Sequence, residues 1–171
     1  LVIAVKGLWE QGAKPADIIG VTLTTQRGTV VAVDQDGMAL RSAITWLDQR
    51  ESLHPPSLPM HWQAIFRALG ATDTINQFLR KAEINWIAQY EPQVFGKMHK
   101  CLLLSGYLTH RLTGQFRDAV AAQVGYIPFD FRHQAWARSW DWKWHALRVS
   151  RDQLPDLVPA GGILGHITAV T

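Results

Sequence analysis

Residues 18–50 read IIGVTLTTQRGTVVAVDQDGMALRSAITWLDQR, and the order of elements within this stretch decides the fold class. Ile18 to Thr25 form an unbroken, β-branched run, as expected of a strand buried on both faces. Upstream, Val2, Val5, Leu8 and Trp9 recur at helical spacing, and Pro15 with Asp17 marks a stop, so a helix leads directly into this strand. Downstream, two strand-like runs at about 29–34 and 38–45 flank Asp34-Gln35-Asp36-Gly37, whose Asp-Gly step signals a hairpin. Helix, buried strand and hairpin in succession indicate an α/β domain with a mixed sheet.

Beyond the hairpin, Pro55, Pro56 and Pro59 make a loop, and WQAIFRALG reads as a short helix. From Asp73 to Tyr90 the apolar residues Ile75, Phe78, Leu79, Ala82 and Trp86 share one helical face, and Glu91-Pro92 ends it. KCLLL predicts a short buried strand. SGYLTHRLTG predicts a helix with Ser105 as N-cap and Gly114 as its stop. Trp136, Trp140, Trp142 and Trp144 suggest a short helix packed against the domain, in preference to a platform for carbohydrate. The closing segment 154–170 reads as a turn, a Gly-rich loop and a strand.

The chain of 171 residues, 47% hydrophobic, is long enough to bury a core. Its one cysteine, Cys101, excludes an internal disulfide and a CxxC metal site, which favours a reducing, cytoplasmic setting. The seven histidines show no ligand-spaced pair on one helix, so no metal site is expected. Apolar runs fall far short of the roughly 20 residues that span a bilayer, so no membrane partner is expected. A net charge of +3 is no concentrated basic stripe, and no nucleic-acid partner is expected. One remote alternative is a helix-turn-helix across residues 107–126, with Gly114 at the turn.

Four collinear stretches resemble the N-terminal domain of the FGGY carbohydrate kinases, the family that includes glycerol kinase and xylulokinase. Residues 19–50 are similar to the family's strand, glutamine turn, hairpin and W-x-D-x-R segment. FLRKAEINWIAQYEP (78–92) resembles its first signature helix, with Glu83 where a lysine usually precedes the tryptophan, here Trp86. HKCLLLSGYLTHRLTGQFRDAVAAQVGYIPFD (99–130) resembles the strand, the helix ending R-L-T-G and the T-D-x-S-x-A-S segment. Arg117, Val120 and Gln123 stand there in place of Thr, Ser and Ser. LPDLVPAGGILGHIT (154–168) is similar to the closing turn and G-x-V-T strand.

The resemblance implies a ribonuclease H-like, actin-like α/β domain that holds a sugar or polyol opposite a bound ATP and Mg²⁺. On this reading residues 1–171 are part of the N-terminal, substrate-binding domain. Its first strands, with the D-x-G-T phosphate turn, and the G-G-D segment with the catalytic Asp are expected outside the chain. Gly28-Thr29 belongs to the glutamine turn, and Ile163 follows Gly161-Gly162. The expectation is therefore that the full-length protein is an ATP-dependent carbohydrate kinase, for which a homodimer is allowed. These residues alone are expected to bind substrate without catalysis, holding neither nucleotide nor metal. A non-catalytic sugar- or protein-binding relative is the alternative, since Glu83 replaces the lysine and Val120 and Gln123 replace the serines near Asp118.

The substrate residues that the resemblance implies are Gln26, Arg27, Trp46, Asp48 and Phe78. Arg27 would donate to substrate hydroxyls, and Trp46 would face the sugar's carbons. Gly28 stands where glycerol kinases have Glu, and Phe78 where they have a substrate-contacting Tyr, so a ketose such as a pentulose is favoured over glycerol. Taken without the resemblance, Trp46 and Phe78 read as packing aromatics and Arg27 as a solvated turn residue. Asp48 with Arg50 reads as a surface ion pair, and Asp118 as a structural hydrogen-bonding group.

Overall fold

In the computed structural model, residues 2–168 are described, and the molecule is organised around one antiparallel pair of strands. These are β1 (Val30–Val33) and β2 (Lys100–Leu103), in register from Val30 opposite Leu103 to Val33 opposite Lys100. All four β1 residues are buried, because successive side chains of a strand feed opposite faces. Val30 and Ala32 enter the main core with Cys101 and Leu103, while Val31 and Val33 join Leu102 against Tyr107 and Phe116.

The hairpin turn forms as expected. The Asp34 side chain accepts the Asp36 and Met38 amides at 3.0 and 2.8 Å. Gly37 takes φ +73°, and a Cβ there would overlap the His110 ring, so glycine serves both the turn and the close approach. The return arm is not the continuous strand expected at 38–45. It touches β1 only through bridges at Val33–Ala39 and Val30–Ile44, because residues 40–43 of the arm lie opposite only 31–32 of β1 and bulge away between the bridges.

Helices pack around this pair. In chain order they are α1 (Val2–Glu10), α2 (Met60–Ala68), α3 (Thr72–Lys81), α4 (Glu83–Tyr90), α5 (Pro92–Lys97), α6 (Leu104–Thr113) and α7 (Lys143–Ala146). Two further pairs complete the sheets. β3 (Arg117–Ala119) runs parallel to β6 (Asp156–Val158), and β4 (Phe129–Asp130) is antiparallel to β5 (Ala135–Trp136). Pairing is thus mixed, but spread over three two-stranded sheets.

Several expectations are corrected. Ile18–Thr25 is not a strand: Ile19 is fully exposed, and no described strand lies alongside to satisfy its backbone. The helix expected across 73–90 is two, broken at Ala82, whose ψ of 117° is extended. The break is stable because its freed carbonyls find donors. Asn85 Nδ2 donates to Leu79 O at 2.9 Å, and the Ser52 amide donates to Arg80 O at 2.8 Å. Leu103, not Ser105, is the N-cap of α6, since β2 runs straight into it. Gly114, at φ +70°, ends α6 as expected. After α6 comes β3 and a 3₁₀ turn at Val120–Ala122 where a helix-turn-helix needs its second helix. The closing strand is absent through residue 168, and residues 169–171 lie outside the described residues.

The tryptophans of 136–144 pack more than they display. Trp142 lies edge-on against Phe66 and Phe78. Trp136 and Trp144 donate their ring N–H groups to the carbonyls of Pro155 and Ala137. Trp140 stays exposed. Among the described residues no helix is long and apolar enough to cross a membrane.

Candidate functional site

The glutamine turn hangs on the start of β1. Thr29 is buried there, and its hydroxyl accepts from Gln26 Nε2 at 3.0 Å while its carbonyl accepts the Leu104 amide that opens α6. Gly28 takes φ +72°, and a Cβ on it would sit 3.4 Å from Trp46 Cβ. From the other side Gly125 closes in, where an added Cβ would lie 3.8 Å from Gly28 Cα. Tyr126 follows, with its ring edge-on to Phe78 at 5.2 Å. Four segments distant in sequence therefore meet: the turn 26–28, Trp46, Phe78 and Gly125-Tyr126.

Exposure separates these side chains by what they can do. Gln26, Arg27 and Trp46 are exposed, Trp46 at 58%. The Arg27 guanidinium has no protein partner among the described residues, so its donors face outward. Phe78 is half-buried between Tyr126 and Trp142 and presents a ring edge at most.

Asp48 is committed elsewhere. Arg50 grips its carboxylate through Nε at 2.7 Å and Nη2 at 2.7 Å, and the Arg50 amide adds a third bond at 3.0 Å. These bonds hold the Asp48 carboxyl below the usual range and raise the Arg50 guanidinium. Arg50 in turn lies over the Trp86 ring of α4, with Cζ 4.2 Å from the ring centroid. The geometry fits a staple that fixes the segment after Trp46.

Sequence reasoning missed the approach of Tyr126 to the glutamine turn and the setting of Glu83. No local pattern marks Tyr126; only the approach of Gly125 to Gly28 brings it to the turn. Glu83 opens α4, and burial pushes its carboxyl up to about 7, with the Asp48 charge adding to the effect. Glu83 and Gln123, two departures from the family pattern, line one small cavity together with Tyr126. Burial likewise pushes the Cys101 thiol up to about 12, which leaves it unreactive.

Asp118 is fully buried and accepts from Ser105 Oγ at 2.9 Å, Gln123 Nε2 at 2.8 Å and the Ala119 amide at 2.8 Å. Burial raises its carboxyl against the pull of these bonds. Its place is to lock β3 against the start of α6.

At Gly162 an added Cβ would meet Val158 Cγ1 at 2.5 Å, so glycine alone fits this turn. Among the described residues no three His, Cys, Asp or Glu side chains gather as a metal-ligand group.

The model for the N-terminal domain of the FGGY family of carbohydrate kinases matches residues 3–171. A xylulose kinase of Bacillus subtilis (strain 168) is 26% identical over 160 residues, covering 91% of this chain and 31% of the relative. A xylulose kinase of Escherichia coli (strain K12) is 26% identical over 172 residues, covering 96% and 33%. In structure, a protein described as a xyloylose kinase from Brucella ovis superposes with a TM-score of 0.73 at 22% identity, over 97% of this chain and 34% of that one. The chain thus spans about a third of the length of these relatives.

Proposed function

Because the chain belongs to the FGGY family of carbohydrate kinases, we propose that the protein phosphorylates a sugar hydroxyl with ATP and Mg²⁺, and that these residues form the wall that holds the sugar. The observation that carries this reading is the convergence of the turn 26–28 with Trp46 and Tyr126. Arg27 offers a planar fork to paired hydroxyls, Gln26 is set beside it by Thr29, and the Trp46 ring covers C–H groups. Gly28 leaves room beside Trp46. The Tyr126 hydroxyl takes over the polar contact that Phe78 lacks. Asp48, held by Arg50, positions Trp46 and does not touch the sugar.

A ketose such as a pentulose suits this wall better than glycerol, because the space at Gly28 admits a longer chain of hydroxyls. The chemistry assigned to this chain is positioning, which lowers a barrier by presenting one hydroxyl in line for transfer. The nucleotide supplies the phosphoryl group. Neither it nor the base that takes the hydroxyl proton is assigned to residues 2–168, so these 171 residues alone are proposed to transfer nothing. A cytoplasmic location accords with a free, buried Cys101.

Titration calorimetry with D-xylulose and with glycerol tests the reading. Binding of the pentulose is expected, with glycerol at least about tenfold weaker. Arg27→Ala is expected to weaken pentulose binding about 10- to 100-fold, the loss of one or two charged hydrogen bonds. No heat with any ketose, or an unchanged affinity in Arg27→Ala, would sink the assignment. Phosphate transfer from ATP by the 171 residues alone would overturn the division of labour.

A further inference from the structure

A cavity of about 420 Å³ lies between the proline loop, α2 and α3, apart from the wall just described. That volume falls in the range of small-molecule sites. Its apolar lining comes from Leu58 and Leu79, both buried, with Phe66 and Ile75. The walls are held in place. Gln63 Nε2 donates to Leu58 O at 2.7 Å, pinning the loop to α2, and the Ala71 amide donates to Phe66 O at 2.8 Å, turning the chain from α2 into α3.

The polar lining is one-sided in charge. Arg67 from α2 and Asn76 from α3 border the cavity, and no Asp or Glu does. Neither the Arg67 guanidinium nor the Asn76 amide has a protein partner among the described residues. A lone guanidinium above an apolar surface matches one carboxylate, bidentate and in plane. A phosphate dianion calls for more cations than the single one provided here.

We propose that this cavity is a second ligand site, taking a small monocarboxylate whose apolar body packs on Phe66, Ile75 and Leu79 and whose carboxylate pairs with Arg67. The site has a physical route to the sugar wall. Phe66 meets Trp142 edge-on at 5.3 Å, Trp142 meets Phe78 at 5.0 Å, and Phe78 meets Tyr126 at 5.2 Å. A ligand seated on Phe66 therefore bears on the rings that end at the wall, and this coupling rests on the sugar-binding reading.

Benzoate is the probe, benzyl alcohol its neutral counterpart, and calorimetry on the purified protein the readout. Saturable benzoate binding is expected, at least about tenfold tighter than benzyl alcohol, and weakened at least about tenfold in Arg67→Gln. Arg67 is exposed, so thermal unfolding of the variant should match the parent. Equal affinity for the two probes, equal affinity in Arg67→Gln, or no saturation with benzoate overturns the site. Coupling is read separately, with D-xylulose present: each ligand must change the other's affinity by the same factor. A protein that binds benzoate but no ketose keeps this site and loses the sugar reading. One that binds both with no mutual effect loses the coupling.

Discussion

Glu83 carries the clearest pH signature of any single residue. Its carboxyl ordinarily titrates near 4.5 and here is raised to about 7 by burial. Between those values the folded chain holds a proton that the unfolded chain releases, so stability falls as pH rises through this window. The penalty, complete above pH 7, is worth roughly 3 kcal/mol at 1.36 kcal/mol per pH unit. Glu83→Gln keeps the shape without the charge. Its melting temperature should equal the parent's near pH 4.5 and exceed it by about 5–10 °C at pH 8. A gap that does not grow with pH would show that Glu83 ionises freely. Asp48 acts in the opposite sense, since Arg50 lowers its pKa and its contribution is lost only in acid. Tyr126→Phe gives a second test at this scale. Removal of the one hydroxyl should weaken ketose binding about 3- to 10-fold and leave stability unchanged.

The break between α3 and α4 shows how one element is overruled by its surroundings. Helical periodicity runs through 75–86, and Ala82 is the best of helix formers. The chain nonetheless bends there, because Asn85 is buried and fully used. It donates to Leu79 O and Ala146 O at 2.9 Å each and accepts the Arg148 amide at 2.9 Å. One side chain thus ties the ends of two helices to the segment after α7. Asn85→Ala strands those partners in the core and should cost about 3 kcal/mol in urea unfolding, against less than about 1 for Gln77→Ala on the exposed face of α3. A loss below about 1 kcal/mol at Asn85 would mean that the helices meet without it. Periodicity records which face is apolar; it carries no word of where two carbonyls must turn to find a distant amide.

Across the whole molecule, burial is uneven. The core gathers β1, β2, α3, α4, β4 and α7, while α1 and residues 18–25 contribute no described buried side chain to it. Ile3, Ile19 and Val21 are exposed at one end of the sequence, and Ile163 and Ile167 at the other. Trypsin should therefore cut after Arg27 well before any site between residues 30 and 158, as read by mass spectrometry over a time course. Early cleavage after Lys100 or Arg111 would contradict this distribution. By itself the sequence determined the α/β class, the family resemblance, the Asp-Gly hairpin turn, the KCLLL strand and the Gly114 stop. The turn, the strand and the stop are each written in the preference of a few adjacent residues, and the class and the resemblance in the order of such stretches along the chain. Gln26, Arg27 and Trp46 were legible only through that resemblance. The tertiary structure alone brought Gly125-Tyr126 against Gly28, committed Asp48 to Arg50 over Trp86, split the helix at Ala82 and left 18–25 unpaired. Those outcomes depend on partners tens of residues away, and a strand or a carboxylate takes its role from whichever group reaches it in space.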